Sequence, residues 1–328
     1  MDWNNKNIFI TGADGFIGGW VAKTLVDKGA NVIVVARDDR KGSALKLHKI
    51  IDKVTLVKGD VTDYSLMRRI INEYEIEYVF HFAAQAIVSI ANSSPLSTFE
   101  TNIKGTWTIL EAVRNANYGG FKGIIVASTD KAYGIHEQLP YTEESELKGI
   151  YPYDASKACA DIIARSYAKM YDMPVAVTRK SNIYGGGDLN FSRIVPRAIS
   201  WLERGTDFVV RGGGSSERDY LYVEDAVAGY LALAENLHRN EIKGEAFNFS
   251  TNKPVSVLEM VKAISMVLGK DKEPFIEQDA PGEIDRQYLA NEKAQRLLGW
   301  QPKHDLDEGL CKTAEWYRKF FSEQEVIN

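Results

Sequence analysis

The sequence predicts an α/β protein, a Rossmann-like doubly wound parallel sheet with a smaller C-terminal α/β substrate-binding domain. Three observations carry this. Short runs that are apolar throughout recur in the first half and alternate with stretches of helical period, the pattern of strands buried on both faces and joined by crossover helices. A glycine-rich turn closes the first of these runs and opens a helix. Beyond about residue 180 glycine-rich loops separate shorter strands and helices, the texture of a smaller unit set on the sheet.

Taken in order, Asn7–Thr11 is an apolar run closed by Gly12, and Phe16–Lys28 has helical spacing with Gly29 as its stop. Asn31–Ala36, Val54–Lys58, Tyr78–Phe82, Gly123–Ala127 and Val175–Arg179 repeat the strand pattern. Helices are expected at Tyr64–Tyr74, at Pro95–Asn115 and from near Tyr153. In the second half, Gly185–Gly187 and Gly212–Gly214 break the chain, with helices near Phe191–Arg204, Asp225–Leu237, Ser256–Leu268 and Leu306–Phe320. The expected division is a dinucleotide-binding domain over 1–180, with the chain crossing back near 220–250, and a second domain over 181–328.

Composition narrows the classes of function. A 328-residue chain with 45% apolar and 26% charged residues has the means to bury a large core without disulfides or metal. Its net charge of −5 gives no basic face for a polynucleotide. The two cysteines, Cys159 and Cys311, are distant and form no CxxC, so they read as single buried thiols in a reducing cytosol. The start, Met-Asp-Trp-Asn-Asn-Lys, lacks the pattern of a secretion signal, and no run approaches the ~20 apolar residues that span a bilayer. A cytoplasmic protein with neither a nucleic-acid nor a membrane partner is expected. The five histidines show no metal-binding spacing, so no metal is expected, and His81, inside an apolar strand, reads as a core residue.

Thr11-Gly12-Ala13-Asp14-Gly15-Phe16-Ile17-Gly18 gives Gly-x-x-Gly-x-x-Gly between strand and helix. Glycine permits a tight turn and close approach to a pyrophosphate, which the N–H groups of the helix start then hold. Gly12, Asp14, Gly15, Phe16, Ile17 and Gly18 are therefore candidate dinucleotide contacts. At the end of the second strand a carboxylate suits the ribose diol of NAD and an arginine the 2′-phosphate of NADP. Here Asp38 and Arg37 offer both. NAD is the expected cofactor, with NADP left open by Arg37. Asp60 and Val61 are candidates near the adenine, and Ala83 and Ala84 are small where the chain passes the cofactor.

Tyr153 and Lys157 stand at i and i+4, on one face of a helix. A phenol becomes a useful base when a nearby cation lowers its pKa. Ser128 and Thr129, after the strand at Gly123–Ala127, supply hydroxyls for a sugar oxygen beside it. Together with the glycine loop, these residues resemble the extended short-chain dehydrogenase/reductases that act on nucleotide sugars, from about Asn7 to Phe320. Ser-Thr-Asp-Lys-Ala-Tyr-Gly at 128–134 resembles the 4,6-dehydratase branch, most members of which carry Glu where Lys131 stands. Lys131 is similar instead to CDP-glucose 4,6-dehydratases and some UDP-N-acetylglucosamine dehydratases. His81–Gln85, Thr178-Arg179 leading through Asn182 to Gly185–Asp188, and Leu298–Pro302 with Trp316-Tyr317 point toward the CDP-glucose group.

The resemblance implies roles. Tyr153 takes the 4-OH proton as hydride leaves C4, Lys131 removes the C5 proton, Asp130 protonates the departing 6-OH, and the hydride returns to C6. Lysine as a carbon base requires a neutral amine, which burial or a neighbouring cation such as Lys157 would favour. Asn182 and Arg218 correspond to residues that hold the nucleotide diphosphate, Gln85 belongs to the substrate side, and Arg193 and Arg286 offer guanidinium forks for the same anion. Helices 95–115 and 153–172 correspond to those that pair in a homodimer. Two alternatives stay open: a nucleotide-sugar 4-epimerase, which needs no C5 base, and a non-catalytic dinucleotide sensor, which would dispense with Tyr153 and Lys157.

Overall fold

The computed structural model describes residues 1–278 and 284–325. Seven parallel strands form the main sheet: β1 (Asn7–Thr11), β2 (Asn31–Ala36), β3 (Thr55–Lys58), β4 (Tyr78–His81), β5 (Gly123–Ala127), β6 (Val175–Lys180) and β10 (Ala246–Phe249), in the order 10-6-5-4-1-2-3. The sequence order reverses between β1 and β4, opening a crevice at the carboxyl ends of the strands, where ligands bind in such sheets. Period-2 alternation sorts the side chains. Ile8, Ile10, Val32, Val34 and Phe80 pack into one apolar layer, and Phe9, Ile33, Val35, Val79 and Ile124 into the other.

Helices cover both layers. On one side lie α1 (Phe16–Asp27) and α9 (Val223–Asn236); on the other α3 (Tyr64–Glu73), α6 (Gly105–Arg114) and α7 (Pro152–Tyr171). The expected helix over 95–115 is three pieces: α5 (Pro95–Phe99), a π-helical turn at Glu100–Lys104, and α6. That turn carries the buried Asn102, whose amide donates to Ser156 Oγ at 2.8 Å and whose oxygen accepts the N–H of Gln85 at 2.7 Å, so it ties α7 to the loop after β4.

The later strands are β7 (Asn182–Tyr184), β8 (Val209–Val210), β9 (Glu217–Tyr222), β11 (Pro254–Ser256), β12 (Phe275–Ile276) and β13 (Arg286–Gln287). β9 pairs with β7, β11 and β13, and α8 (Ile194–Arg204), α10 (Val257–Leu268) and α12 (Leu306–Glu325) pack around this smaller sheet. Within that stretch β10 crosses back to lie parallel beside β6. One expectation is corrected: Cys159 and Cys311 are exposed, not buried. Cys159 lies on the face of α7 that also exposes Ile162, opposite the sheet-facing Ala160 and Ala164. No helix among the described residues is long and apolar enough to cross a membrane.

Candidate active site

The glycine loop is built for close approach. Gly12 has φ +73°, and a Cβ there would lie 2.7 Å from the N of Ala83, while a Cβ on Gly18 would lie 2.4 Å from Gly12 O. Gly15 is the N-cap of α1 and supplies no side-chain cap, so the leading N–H groups at Phe16, Ile17 and Gly18 are presented by the helix start. Asp14 turns its carboxylate to the Ser43 hydroxyl. Ala83 donates its N–H to Thr11 Oγ1 at 3.1 Å, holding the β4 loop, with Ala84 next in line, against β1. His81 is a core residue, its ring nitrogens 2.8 and 3.1 Å from Thr11 and Thr106 hydroxyls. Burial, with the Lys157 charge, pushes it down to about 3, so it is neutral.

At the β2 end the Arg37 guanidinium bonds Asp38 at 2.9 Å and lies 3.8 Å from Asp60. Burial opposes ionisation of Asp60, but the N–H and hydroxyl of Thr62 and the Arg37 charge hold it below the usual carboxylate range. Two carboxylates therefore already surround the Arg37 charge. A 2′-phosphate would meet both, whereas a ribose diol finds acceptors; the residues present fit NAD. Val61, buried, packs against Gly105 and sets α6 beneath this edge.

Across the crevice, Pro152 at the first turn starts α7 and places Tyr153 and Lys157 one turn apart on its inner face. Lys157 Nζ donates to Ala127 O at 2.8 Å, and burial, with the Lys180 charge, pushes its ammonium down to about 7. Tyr153 is 7% exposed. Burial pushes it up to about 12; Arg193 and the neighbouring Thr129 hydroxyl draw it down, and Asp130 and Asp154 push it further up. Thr129 donates to Asp130 Oδ1 at 2.8 Å and caps the short turn Asp130–Tyr133 that carries Lys131. Asp154 is raised to about 6 by burial, against the attraction of Lys131.

A cavity of about 500 Å³ opens onto these groups. Thr129, Asp130, Lys131 and Tyr153 line it together with Asn182, Arg193 and Arg218, and the Arg193 charge reaches the Tyr153 phenol. Arg193 is oriented by Asp188 at 2.9 Å, and Arg218 donates to the carbonyls of Glu217 and Asp285. Three expected substrate residues are not brought to the cavity wall. Ser128 is buried with its hydroxyl on Lys157 O at 3.3 Å, because strand alternation turns it away from Thr129. Gln85 spends its side-chain oxygen on the Ile87 N–H, and Ala86 lines the cavity instead. Arg286 pairs with Glu217 at 2.6 Å over the Tyr288 ring, while Pro281–Glu283 of its segment lie outside the described residues. Sequence reasoning missed Lys180 and Asp188, which both line the cavity. Among the described residues no cluster of His, Cys, Asp and Glu could hold a metal.

The sequence model of a family described as GDP-mannose 4,6 dehydratase matches residues 9–313. The chain belongs to this family. CDP-glucose 4,6-dehydratase of Salmonella typhimurium is 28% identical, over 99% of this chain and 94% of its own. A crystal structure of dTDP-glucose 4,6-dehydratase from Bacillus anthracis in complex with NAD superposes with a TM-score of 0.83 at 31% identity, covering 96% of this chain and 97% of that one. UDP-glucose 4-epimerase of Thermotoga maritima with UDP-glucose gives a TM-score of 0.87 at 32% identity, covering 96% and 99%. The relatives include both reaction types weighed from the sequence, a 4,6-dehydratase and a 4-epimerase.

Proposed function

We propose that the chain is an NAD-dependent nucleotide-sugar 4,6-dehydratase, with CDP-glucose as its substrate and CDP-4-keto-6-deoxyglucose as its product. The observation that carries this reading is that Asp130, Lys131 and Tyr153 line one cavity. A 4-epimerase, the second reading and one favoured by the overall likeness to UDP-glucose 4-epimerase, has no use for an acid and an amine beyond the tyrosine. CDP-glucose is preferred among the sugar nucleotides because Lys131 stands where most dehydratases carry Glu.

When bound, NAD supplies the acceptor that takes hydride from C4 and returns it to C6, and adds a positive charge near the phenol. Tyr153 receives the 4-OH proton, with Thr129 bonding the same oxygen and Lys157 one turn below. The C4 ketone acidifies C5, so the Lys131 amine can take that proton. Asp130 is the general acid for the leaving 6-hydroxyl, which departs as water. Asn182, Arg193 and Arg218, which line the same cavity, hold the diphosphate.

The residues over 1–180, joined by the crossing strand β10, form the cofactor half in this reading, and the remaining residues over 181–328 the sugar-nucleotide half. The exposed apolar side chains of α5, α6 and α7, among them Leu96, Trp107, Ile162 and Met170, support a homodimer through these helices. Two exposed, unpaired cysteines fit a reducing compartment and support a cytoplasmic location.

Lys131→Ala tests the assignment of roles. The variant should still bind the nucleotide and reduce the cofactor on adding substrate, seen as absorbance near 340 nm, while dehydrated product falls by about 10²-fold or more. Full turnover by the variant would remove Lys131 from the mechanism.

A further inference from the structure

The cavity contains one lysine that neither the motifs nor the mechanism above employs. Lys180 ends β6, and strand alternation sets it on the face opposite Arg179, whose guanidinium is taken up by Asp161, Tyr133 and the Glu143 carbonyl. Lys180 instead lines the cavity with Thr129, Asp130 and Tyr153. The parallel register pairs Ala127 with Thr178, so two residues further on Thr129 and Lys180 stand side by side at the mouths of adjacent strands.

Two cations close to it, Lys157 and Arg193, have partners of their own. Lys157 donates to Ala127 O and Arg193 to Asp188, whereas Lys180 has no hydrogen-bond or ion-pair acceptor among the described residues. Lys180 is half-buried, at the wall of the cavity, and a partly desolvated ammonium without an acceptor is unfavourable. Burial pushes this one down to about 8, with Asp130 attracting it and Arg193 repelling it. An oxygen-rich ligand in the cavity would supply the acceptor it lacks.

We propose that Lys180 is a further catalytic residue, whose ammonium donates to the same C4 oxygen of the hexose that Tyr153 and Thr129 hold. This rests on the dehydratase reading and deepens it. When the C5–H bond breaks, its proton passes to the Lys131 amine and its electron pair moves into the C4–C5 bond, placing negative charge on the C4 oxygen. The pair then returns to expel the 6-oxygen, which Asp130 protonates, and the C5=C6 bond forms. Lys180 transfers no proton in this sequence. It is a fixed positive charge beside the oxygen that becomes anionic, and so stabilises the transition state more than the bound sugar.

Lys180→Met removes the charge at similar length, Lys180→Arg keeps it, and Lys180→Gln keeps a neutral donor should the methionine variant fail to fold. Binding is titrated by calorimetry with CDP, dTDP, UDP and GDP and with the matching NDP-glucoses, and turnover is followed by product mass. Loss of the charge should leave affinity for the nucleoside diphosphate within about twofold, weaken NDP-glucose by about tenfold, and lower kcat by about 10²–10³-fold. Lys180→Arg should recover part of kcat. Unchanged kcat in the methionine and glutamine variants would overturn the proposal, as would an equal loss of affinity for diphosphate and sugar nucleotide, which places the ammonium on the phosphates. If the unaltered protein dehydrates no NDP-glucose, the dehydratase reading fails by itself. The titrations then decide Lys180: a loss confined to the hexose-bearing ligand keeps its contact with the sugar, and no loss removes it.

Discussion

Lys157 combines two demands that pull in opposite directions. The role proposed for it beside Tyr153 calls for a positive charge, yet burial and the Lys180 charge push its ammonium down to about 7. The unfolded chain holds that proton up to about 10.4. Below pH 7 the amine is charged in both states and the folded state bears the full burial penalty; between about 7 and 10 the unfolded state binds more protons, so stability rises with pH. Lys157→Met should therefore raise the melting temperature by a few degrees at pH 6 and by much less at pH 10. A shift equal at both values would mean that the ammonium is not strained in the fold. Tyr153 and Lys157 were legible in the sequence because helical spacing fixes their common face. Lys180 was not, since a lysine ending an apolar strand reads as solvated charge until the neighbouring strand ends enclose it. Cys159 was misread for a related reason: small and apolar neighbours suggest burial, but only one face of α7 meets the sheet.

Arg179 and Asp161 join β6 to α7 through two parallel bonds of 2.8 and 2.9 Å, with the Arg179 and Asp161 side chains 1% and 0% exposed. The strand carries Lys180 and the helix carries Tyr153, so the pair fixes how the two approach. Removing one partner leaves a buried charge. Arg179→Met should lower stability by about 3–5 kcal/mol, and the double change with Asp161→Leu should recover most of that loss, read from urea unfolding midpoints. Equal loss in single and double variants would show that packing, not charge pairing, governs the contact. In the sequence Arg179 stood out only as part of a run leading to Asn182, and its partner on another element could not be read. Strands β1, β2 and β5 appear over the residues that their apolar runs predict. The π-helical turn in the 95–115 stretch was invisible, because its cause is tertiary: Asn102 bonds to Ser156 and Gln85.

Across the whole molecule, the carboxyl ends of β1, β4, β5 and β6 gather groups far apart in the chain into one crevice. A net charge of −5 does not prevent this chain from holding polyanions. The glycine loop offers backbone N–H groups, and Arg193 and Arg218 supply local positive charge at the cavity. The parallel α/β class was readable from alternating apolar runs and helical stretches. The pairing of β9 with β7, β11 and β13 was not, because these strands are short and their partners lie up to some 70 residues away. Which arginines reach the cavity depends on that pairing, and so Arg286 was grouped with Arg218 although its side chain turns to Glu217. The central claim is that Asp130, Lys131 and Tyr153, gathered in one cavity, remove a proton from C5 and expel the 6-hydroxyl. It is tested by incubating the protein with CDP-, dTDP-, UDP- and GDP-hexoses in deuterated water and analysing the products by mass spectrometry. The account predicts that CDP-glucose loses one water and gains deuterium at C5; an isobaric product inverted at C4 would contradict it.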